Sequence, residues 1–404
     1  MIYKLIYNTF DYFYFKKIKM NDSQINIENQ QQQIETQTKN INSKLFNFEE
    51  FQTIIFDLGS YNYRIGYSGN DRPNYIFSPI KFNNINNNNI QMKEQEDYEF
   101  LTSQKGDGFF LDIKKFEDFF DDFISDKELI NEMNQGSLLF TEPVIHNKEQ
   151  RMKLTEFLFE KFEIGGLFFC NSSVLSSFSY GKCCCLIFDS GHSQSNIVPV
   201  NDGMIIKNAL NYFEINGKYI DELIINELIN KQINNFNNYN ILQNIQILYN
   251  LKDSILTSNI NNKNIYTLPD NQNIIIEDSY LSIIRNNIKT KLFNDELNLK
   301  TLILKSVSSV LLDIKKELIG NIFICGGNSL IFNNYFNDIK ESIGKELING
   351  SLVKLTTHPS KIERSLSSFL GASIISSLNI YKETIVKKEE YEEHGAIIVE
   401  KKCA

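Results

Sequence analysis

The chain has 404 residues, 42% of them hydrophobic and 12% aromatic, with a formal net charge of −9 and a pI near 5.2. That length and apolar content supply core for one large two-lobed domain or for two domains. The acidic balance argues against a surface that binds nucleic acid directly. The six cysteines (170, 183, 184, 185, 325 and 403) sit mostly in apolar strand-like runs and form no disulfide framework, so a reducing compartment is expected.

Residues 1–20 are rich in aromatics, but Lys4, Asn8 and Asp11 interrupt them, and the run is too short and too polar to span a membrane. Its basic end lies on the wrong side for a secretory signal. Met20 opens a more ordinary amino terminus, and residues 1–19 read as an upstream extension. Residues 21–45 are Gln- and Asn-rich, so the stretch 1–48 is expected to be disordered.

The stretch Ile54 to Tyr67 begins as an apolar run, breaks at Asp57-Leu58-Gly59-Ser60, and resumes at period two with Tyr63, Ile65 and Tyr67. This is the pattern of a hairpin with a glycine-containing turn. A turn that ends a buried strand aims backbone N–H groups outward and suits phosphate, and Asp57 would add a hard oxygen acceptor for a magnesium-bound water. A single turn of this composition is also an ordinary turn. Asn83–Asn89 then reads as a loop insertion. Phe109 to Ile124 reads as a short apolar segment followed by an amphipathic helix.

Leu138 to Pro143 reads as a strand ending at the pre-proline position. Asn147 is a candidate N-cap with Gln150 three residues on. The helix behind it would bury Leu154, Phe157, Leu158 and Phe162. Gly165-Gly166 and Phe168 to Cys170 lead to a helix over Ser173–Tyr180. Cys183-Cys184-Cys185 invites a metal reading, but consecutive strand residues face opposite ways, so core packing is expected.

The first pattern then recurs. Leu186-Ile187-Phe188-Asp189-Ser190-Gly191 repeats apolar-apolar-Phe-Asp-x-Gly, and a second strand follows at Ile197 to Val200. Two equivalent hairpins point to two related units facing each other across a cleft. From Asn201 to Asn259 the pattern is a strand pair, a turn at Gly217 and helices. Lys252 beside Asp253 there suits either a ligand contact or a solvated helix face. A hairpin is expected around Thr267–Gln272. Ile322 to Ser329 reads as a buried strand turning into a helix through Gly326-Gly327, where glycine lets backbone approach a ligand closely. A last helix is expected at Ser373–Leu378.

These motifs together resemble the actin family, within the superfamily that also holds heat-shock protein 70 and the sugar kinases. Asp57-Leu58-Gly59-Ser60 and Asp189-Ser190-Gly191 look like its two phosphate loops, and Gly326-Gly327 like its adenosine loop. The end of the chain is similar too: Glu363-Arg364, Ser367 to Gly371, Glu390-Tyr391-Glu392 and Lys402-Cys403. The resemblance runs from about Thr53 to Cys403 and is poor around 81–105 and 225–262. It implies an α/β actin-like fold of two lobes around a nucleotide cleft. The first lobe would span 49–180 with a return over 367–404, and the second 181–366. The implied ligands are ATP and Mg²⁺. Asp57, Leu58, Gly59, Ser60, Tyr61 and Arg64 would contact the nucleotide from the first lobe. Asp189, Ser190, Gly191, Gly217, Lys252, Asp253, Gly326, Gly327 and Asn328 would do so from the second. Asp57 and Asp189 would hold the metal through water.

Actins orient a water for hydrolysis with a glutamine and a histidine, helped by an aspartate in the second loop. The matching positions here are Ser172, Asn196 and His192. Ser172 is too short to reach that water, and histidine is a weaker partner for magnesium-bound water than a carboxylate. Nucleotide binding with little or no hydrolysis is therefore expected, so the chain would not be an enzyme beyond a weak ATPase. Asp57-x-Gly59-Ser60-Tyr61, Arg64, Gly69-x-Asp71-x-Pro73 and Gly326 to Ile331 look like the nuclear type-four group of actin-related proteins. That likeness implies a scaffold in chromatin-remodelling and histone acetyltransferase complexes. Its partners would be monomeric actin, a long helix of the motor subunit and other chromatin-complex subunits. No direct contact to nucleic acid or membrane is expected. The location would be nuclear, with a cytoplasmic share left open. Only about 28 residues separate Pro79 from Gly108, where actins place a filament-contacting subdomain, so the chain is not expected to polymerise. Two alternatives remain: a cytoskeletal actin-related protein of the dynein-activator type, and a working ATPase or phosphotransferase of the same superfold.

Overall fold

The computed structural model describes residues 52–403 apart from 78–79, 83–97, 101, 106–107, 112, 128, 230–246, 249–250, 253–263, 269–270 and 347–351. The stretch 1–48, the asparagine tract and Asp253 therefore lie outside the described residues.

Two six-stranded sheets organise the chain. The first runs Val386–Lys387, Gly166–Asn171, Ser137–Glu142, Thr53–Leu58, Tyr63–Tyr67, Tyr75–Phe77. Its three central strands are parallel, and the outer ones are antiparallel. The second runs Met204–Ile205, Ser195–Asn201, Cys185–Ser190, Ile322–Cys325, Leu355–Thr357, and Asn211–Phe213 also pairs with Ser195–Asn201. Parallel central strands need cover on both faces, which is why they read as continuous apolar runs rather than as alternating ones.

Both expected hairpins form. Asp57 pairs with Arg64 in the first, and Asp189 with Asn196 in the second. Each hairpin sits beside a parallel strand, so the two halves of the protein carry the same local topology. In the first core Phe56 stacks on Phe140 at 4.8 Å and tilts against Phe120 at 5.3 Å. In the second Phe188 meets Phe332 at 5.4 Å and Phe213 at 5.8 Å. Along Cys185–Ser190 the side chains alternate between these cores: Cys185 and Ile187 join the first cluster, Leu186 and Phe188 the second. Cys184 and Cys185 accordingly belong to different clusters, and all six cysteines are free.

The helix Lys148–Phe162 starts at Asn147, whose side chain accepts from the Gln150 backbone N–H. Its buried row is Arg151, Leu154, Thr155, Leu158 and Phe159. Phe157 and Phe162 are only half-buried and pack edge-on to Phe120, so the inward face is rotated toward Arg151 relative to the sequence expectation. The helix expected at Ser173–Tyr180 spans Ser172–Ser179, and that expected at Ser373–Leu378 spans Ser367–Ser376. Gly217 is not in a turn: it opens the helix Gly217–Ile224, capped by Asn216. The hairpin around Thr267–Gln272 is formed by Asn264–Thr267 and Asn273–Ile276. Among the described residues no helix is long and apolar enough to cross a membrane.

The chain passes from the first sheet to the second through Ser172–Ser179 and comes back through Ser367–Ser376. These two helices pack against each other so closely that a Cβ on Gly371 would overlap the Leu175 carbonyl oxygen.

Candidate functional site

The two hairpin tips lie at the carboxyl ends of parallel strands, the edge at which open α/β sheets bind ligands. Asp57, the last buried residue of Thr53–Leu58, is only 4% exposed. Its Oδ1 accepts from Thr141 Oγ1 at 2.8 Å. Its Oδ2 accepts from Arg64 Nη1 at 2.9 Å and from Ser368 Oγ at 3.0 Å. Arg64 comes from the paired strand, directly opposite Asp57 in the register. Thr141 comes from the neighbouring parallel strand, and Ser368 from the first turn of the returning helix.

Asp189 is the equivalent residue of the second hairpin. Burial, and then the charge of Asp57, push its carboxyl up to about 6, while Arg64 opposes the rise. The two aspartates are thus close enough to feel each other, and one guanidinium serves both. Asn196, opposite Asp189 in the register, shares its face of the sheet. Asn196 is 6% exposed, and its Oδ1 has no hydrogen-bond partner. Two carboxylates and a buried orphan acceptor, against one arginine, form a set of hard oxygens with room for positive charge.

This surplus gives a measurable expectation. A carboxyl whose folded pKa is raised binds its proton more tightly folded than unfolded. Its favourable contribution is complete below the unfolded value and is lost as pH rises through about 6. Asp189→Asn should therefore stabilise the ligand-free protein at pH 7 by on the order of 2–3 kcal/mol and have little effect near pH 4. Urea unfolding of both proteins across that range checks it; a difference independent of pH would contradict the assignment.

Gly326 lies between the strand Ile322–Cys325 and a 3₁₀ helix over Gly327–Tyr335. Its φ is +86°, and a Cβ there would overlap the Ser190 carbonyl oxygen and come within 2.5 Å of Asp189 Oδ1. Glycine is therefore required at 326 by the end of the neighbouring strand, not only by a ligand. Gly327 has no such constraint, its nearest neighbour being Ser365 Cβ at 3.9 Å. Asn328 Nδ2 donates to Ser190 Oγ at 3.0 Å, and Ser190 Oγ lies 2.8 Å from Ser195 Oγ. These polar residues knit the adenosine-loop candidate to the second hairpin.

At the tips the backbone is partly spent. Gly59 N–H donates to Asp57 O at 3.1 Å and Gly191 N–H to Gln194 O at 2.8 Å. Ser60 is half-buried at the first tip, and the Leu58 side chain packs on the first core. Ser172, one residue beyond the strand Gly166–Asn171, opens the hinge helix and is half-buried.

His192 faces the first hairpin. Its ring lies 4.9 Å from that of Tyr61. Burial, and then Lys252 and Lys218, push its pKa down to about 3, so it is neutral at physiological pH. Gly217 forms its seat: a Cβ at 217 would fall 2.8 Å from His192 Cα and Nδ1. Lys252 is not on a solvated face. Its Nζ pairs with Asp221 at 2.5 Å, donates to Gly217 O at 3.0 Å and stands 5.8 Å from the Tyr61 ring centre.

Sequence reasoning missed Thr141, Ser368 and Asp221. Thr141 had a signal, since it precedes Glu142-Pro143 at the end of a strand parallel to the first. Ser368 and Asp221 had none, because their partners lie 311 residues away in one case and on a different helix in the other.

Such a paired-hairpin α/β architecture is that of actin-like nucleotide-cleft proteins. Residues 48–404 match the actin family, and the chain belongs to it. Among curated proteins it is similar to Actin-related protein 4 of Oryza sativa, with 23% identity over 453 aligned positions, covering 89% of this chain and 100% of that protein. It is also similar to Actin-related protein 4 of Arabidopsis thaliana, with 24% identity and the same coverage. The similarity to type-four relatives thus spans their whole length.

Proposed function

We propose that this chain is a non-polymerising actin-related protein that binds ATP with magnesium as a structural ligand and serves as a scaffold subunit of nuclear chromatin-remodelling or histone acetyltransferase complexes. The observation that carries the weak-hydrolysis half is the site itself. By the resemblance, Ser172 and a buried Asn196 take the positions of the glutamine and histidine with which actins orient the attacking water, and a neutral His192, tilted against Tyr61, takes that of the aspartate. Each lost positioning group costs on the order of tenfold to a hundredfold in rate.

The oxygen set suits a hydrated magnesium ion. Asp189 and the Asn196 amide oxygen would accept from its waters, and Asp57 Oδ1, which takes one bond from Thr141, has a lone pair left. Magnesium there would neutralise phosphate charge. Arg64 would hold the Asp57 carboxylate in place. The scaffold half is supported by the likeness of the motifs to the nuclear type-four group, which the name of the plant relatives matches.

A nucleotide touching both lobes should stabilise the protein by RT ln(1 + [L]/Kd), about 2.7 kcal/mol at a hundredfold excess over Kd. A thermal shift with Mg·ATP, together with negligible single-turnover phosphate release, is the expected result. Gly59→Val should abolish the shift, since a Cβ at Gly59 already falls 2.8 Å from Asn62 O. Release as fast as that of filamentous actin would overturn the weak-hydrolysis reading. Tagged protein purified from nuclear extract should bring down actin and a remodelling motor. Recovery with dynein-activator subunits alone, or pelleting as filaments at micromolar concentration, would refute the scaffold reading.

A further inference from the structure

Tyr61 is the bulkiest side chain at the tip of the first hairpin, and it does not turn back onto its own sheet. It reaches across the cleft to the second hairpin, where its ring meets His192 at 4.9 Å with an interplanar angle of 50°. The receiving side is rigidly built. Gly217 N–H donates to Gly191 O at 2.9 Å, and Lys218 N–H to His192 O at 2.8 Å, so the opening turn of the helix Gly217–Ile224 fixes the backbone under His192. The absence of a side chain at 217 is what lets the imidazole sit there. Asp221 Oδ2, 3.6 Å from His192 Nδ1, and Lys252 on Asp221 complete the wall, and Lys252 Nζ also approaches the Tyr61 ring.

We propose that Tyr61 and His192 form an interlobe clasp that holds the two hairpin tips together, and that a terminal phosphate entering between the tips has to displace it. Three features converge on this. The contact joins the two tips directly, ring to ring, and not through the helices Ser172–Ser179 and Ser367–Ser376 that carry the chain between the lobes. The ring occupies the space between the tips. The N–H groups of Gly59 and Gly191 are already bonded within their own turns, so each tip is shaped by its own backbone. The phosphate half of the proposal rests on the nucleotide reading above; the clasp half does not.

The test uses the full chain with Tyr61→Ala, Tyr61→Phe, His192→Ala and the Tyr61→Ala/His192→Ala pair. Tyr61 is half-buried at a hairpin tip and belongs to neither core, so truncation leaves both cores intact. In nucleotide-free protein, Tyr61→Ala should speed amide hydrogen exchange at residues 59–62 and also at 191–194 by about tenfold or more. Tyr61→Phe keeps the ring, so exchange at 191–194 should stay slow. The two alanine changes should be non-additive, because each removes the same contact. Exchange at 191–194 unchanged by Tyr61→Ala, or strict additivity, would overturn the clasp. In the second arm ATP and ADP are titrated separately. Tyr61→Ala should improve the affinity for ATP relative to ADP by about tenfold, whereas an equal change for both would overturn the displacement. If neither protein binds either nucleotide, the displacement fails together with the nucleotide reading, and the exchange data still decide the clasp.

Discussion

Gly371→Ala is expected to destabilise the protein severely, although alanine is the better helix former. On an open helix face the change would gain about 1 kcal/mol from backbone propensity. Here the added methyl would overlap the Leu175 carbonyl, and its other nearest neighbours are also Leu175 backbone atoms, which cannot swing aside. The hinge helix and the returning helix would have to move apart. Around them Phe178, Phe369, Ala372 and Ile375 are buried at 2% exposure or less, and that packing would open as well. Overpacking of this kind costs about 3 kcal/mol or more, so the clash outweighs the propensity gain. The urea midpoint should fall steeply, with the slope unchanged if unfolding remains two-state. A midpoint equal to wild type would mean that the two helices are not in backbone contact. The consequence reaches function because these helices carry both passages of the chain between the lobes. A partly compensated substitution should therefore also alter how the two hairpin tips face each other.

Arg151→Ala should have an effect of similar size through electrostatics. Arg151 is 4% exposed. Its Nε donates to Glu142 Oε1 at 2.7 Å, its Nη2 to Glu142 Oε2, and its Nη1 to Glu400 Oε1 at 3.1 Å. Burial pushes the Glu142 carboxyl above the usual carboxylate range, and the arginine opposes that rise. Without the guanidinium, two carboxylates are left facing each other in a poorly hydrated place. Breaking one partner from such a buried network costs about 3–5 kcal/mol. Replacing Arg151 and Glu142 together by methionine should recover most of it, because the most deeply buried charges leave as a pair and the remaining Glu400 keeps Lys148 at 3.7 Å. Glu400 belongs to the terminal helix Ile398–Lys402, so a local signal should accompany the global one. Cys403 is buried, its sulfur accepting from the Phe169 backbone N–H at 3.4 Å. Arg151→Ala should expose that thiol to labelling well below the unfolding midpoint. Unchanged labelling, with full stability, would show that the terminal helix is held by packing alone.

The amino-acid sequence by itself determined the local elements and their duplication. Ile54 to Phe56 and Leu186 to Phe188 are apolar runs ended by an aspartate and a glycine, the pattern of a buried strand running into a turn, and its recurrence marks the duplication. The cap at Asn147 and the strand ending before Pro143 follow from hydrogen-bonding and steric rules that act within a few residues. What they could not contain is anything set by which segments meet. Ser368 reaches Asp57 only because the chain returns to its first sheet after 311 residues. Gly217 reads as a turn until it becomes the seat of His192, and Gly326 reads as a ligand contact until the end of a parallel strand is found against it. Lys252 finds a counterion in Asp221, which lies 31 residues before it on another helix. The rise of the Asp189 pKa and the meeting of Tyr61 with His192 arise in the same way, from burial and from charges and rings brought together across two sheets. Propensity and spacing act along the chain, whereas desolvation, close approach and charge pairing act through space, and only the tertiary structure decides them.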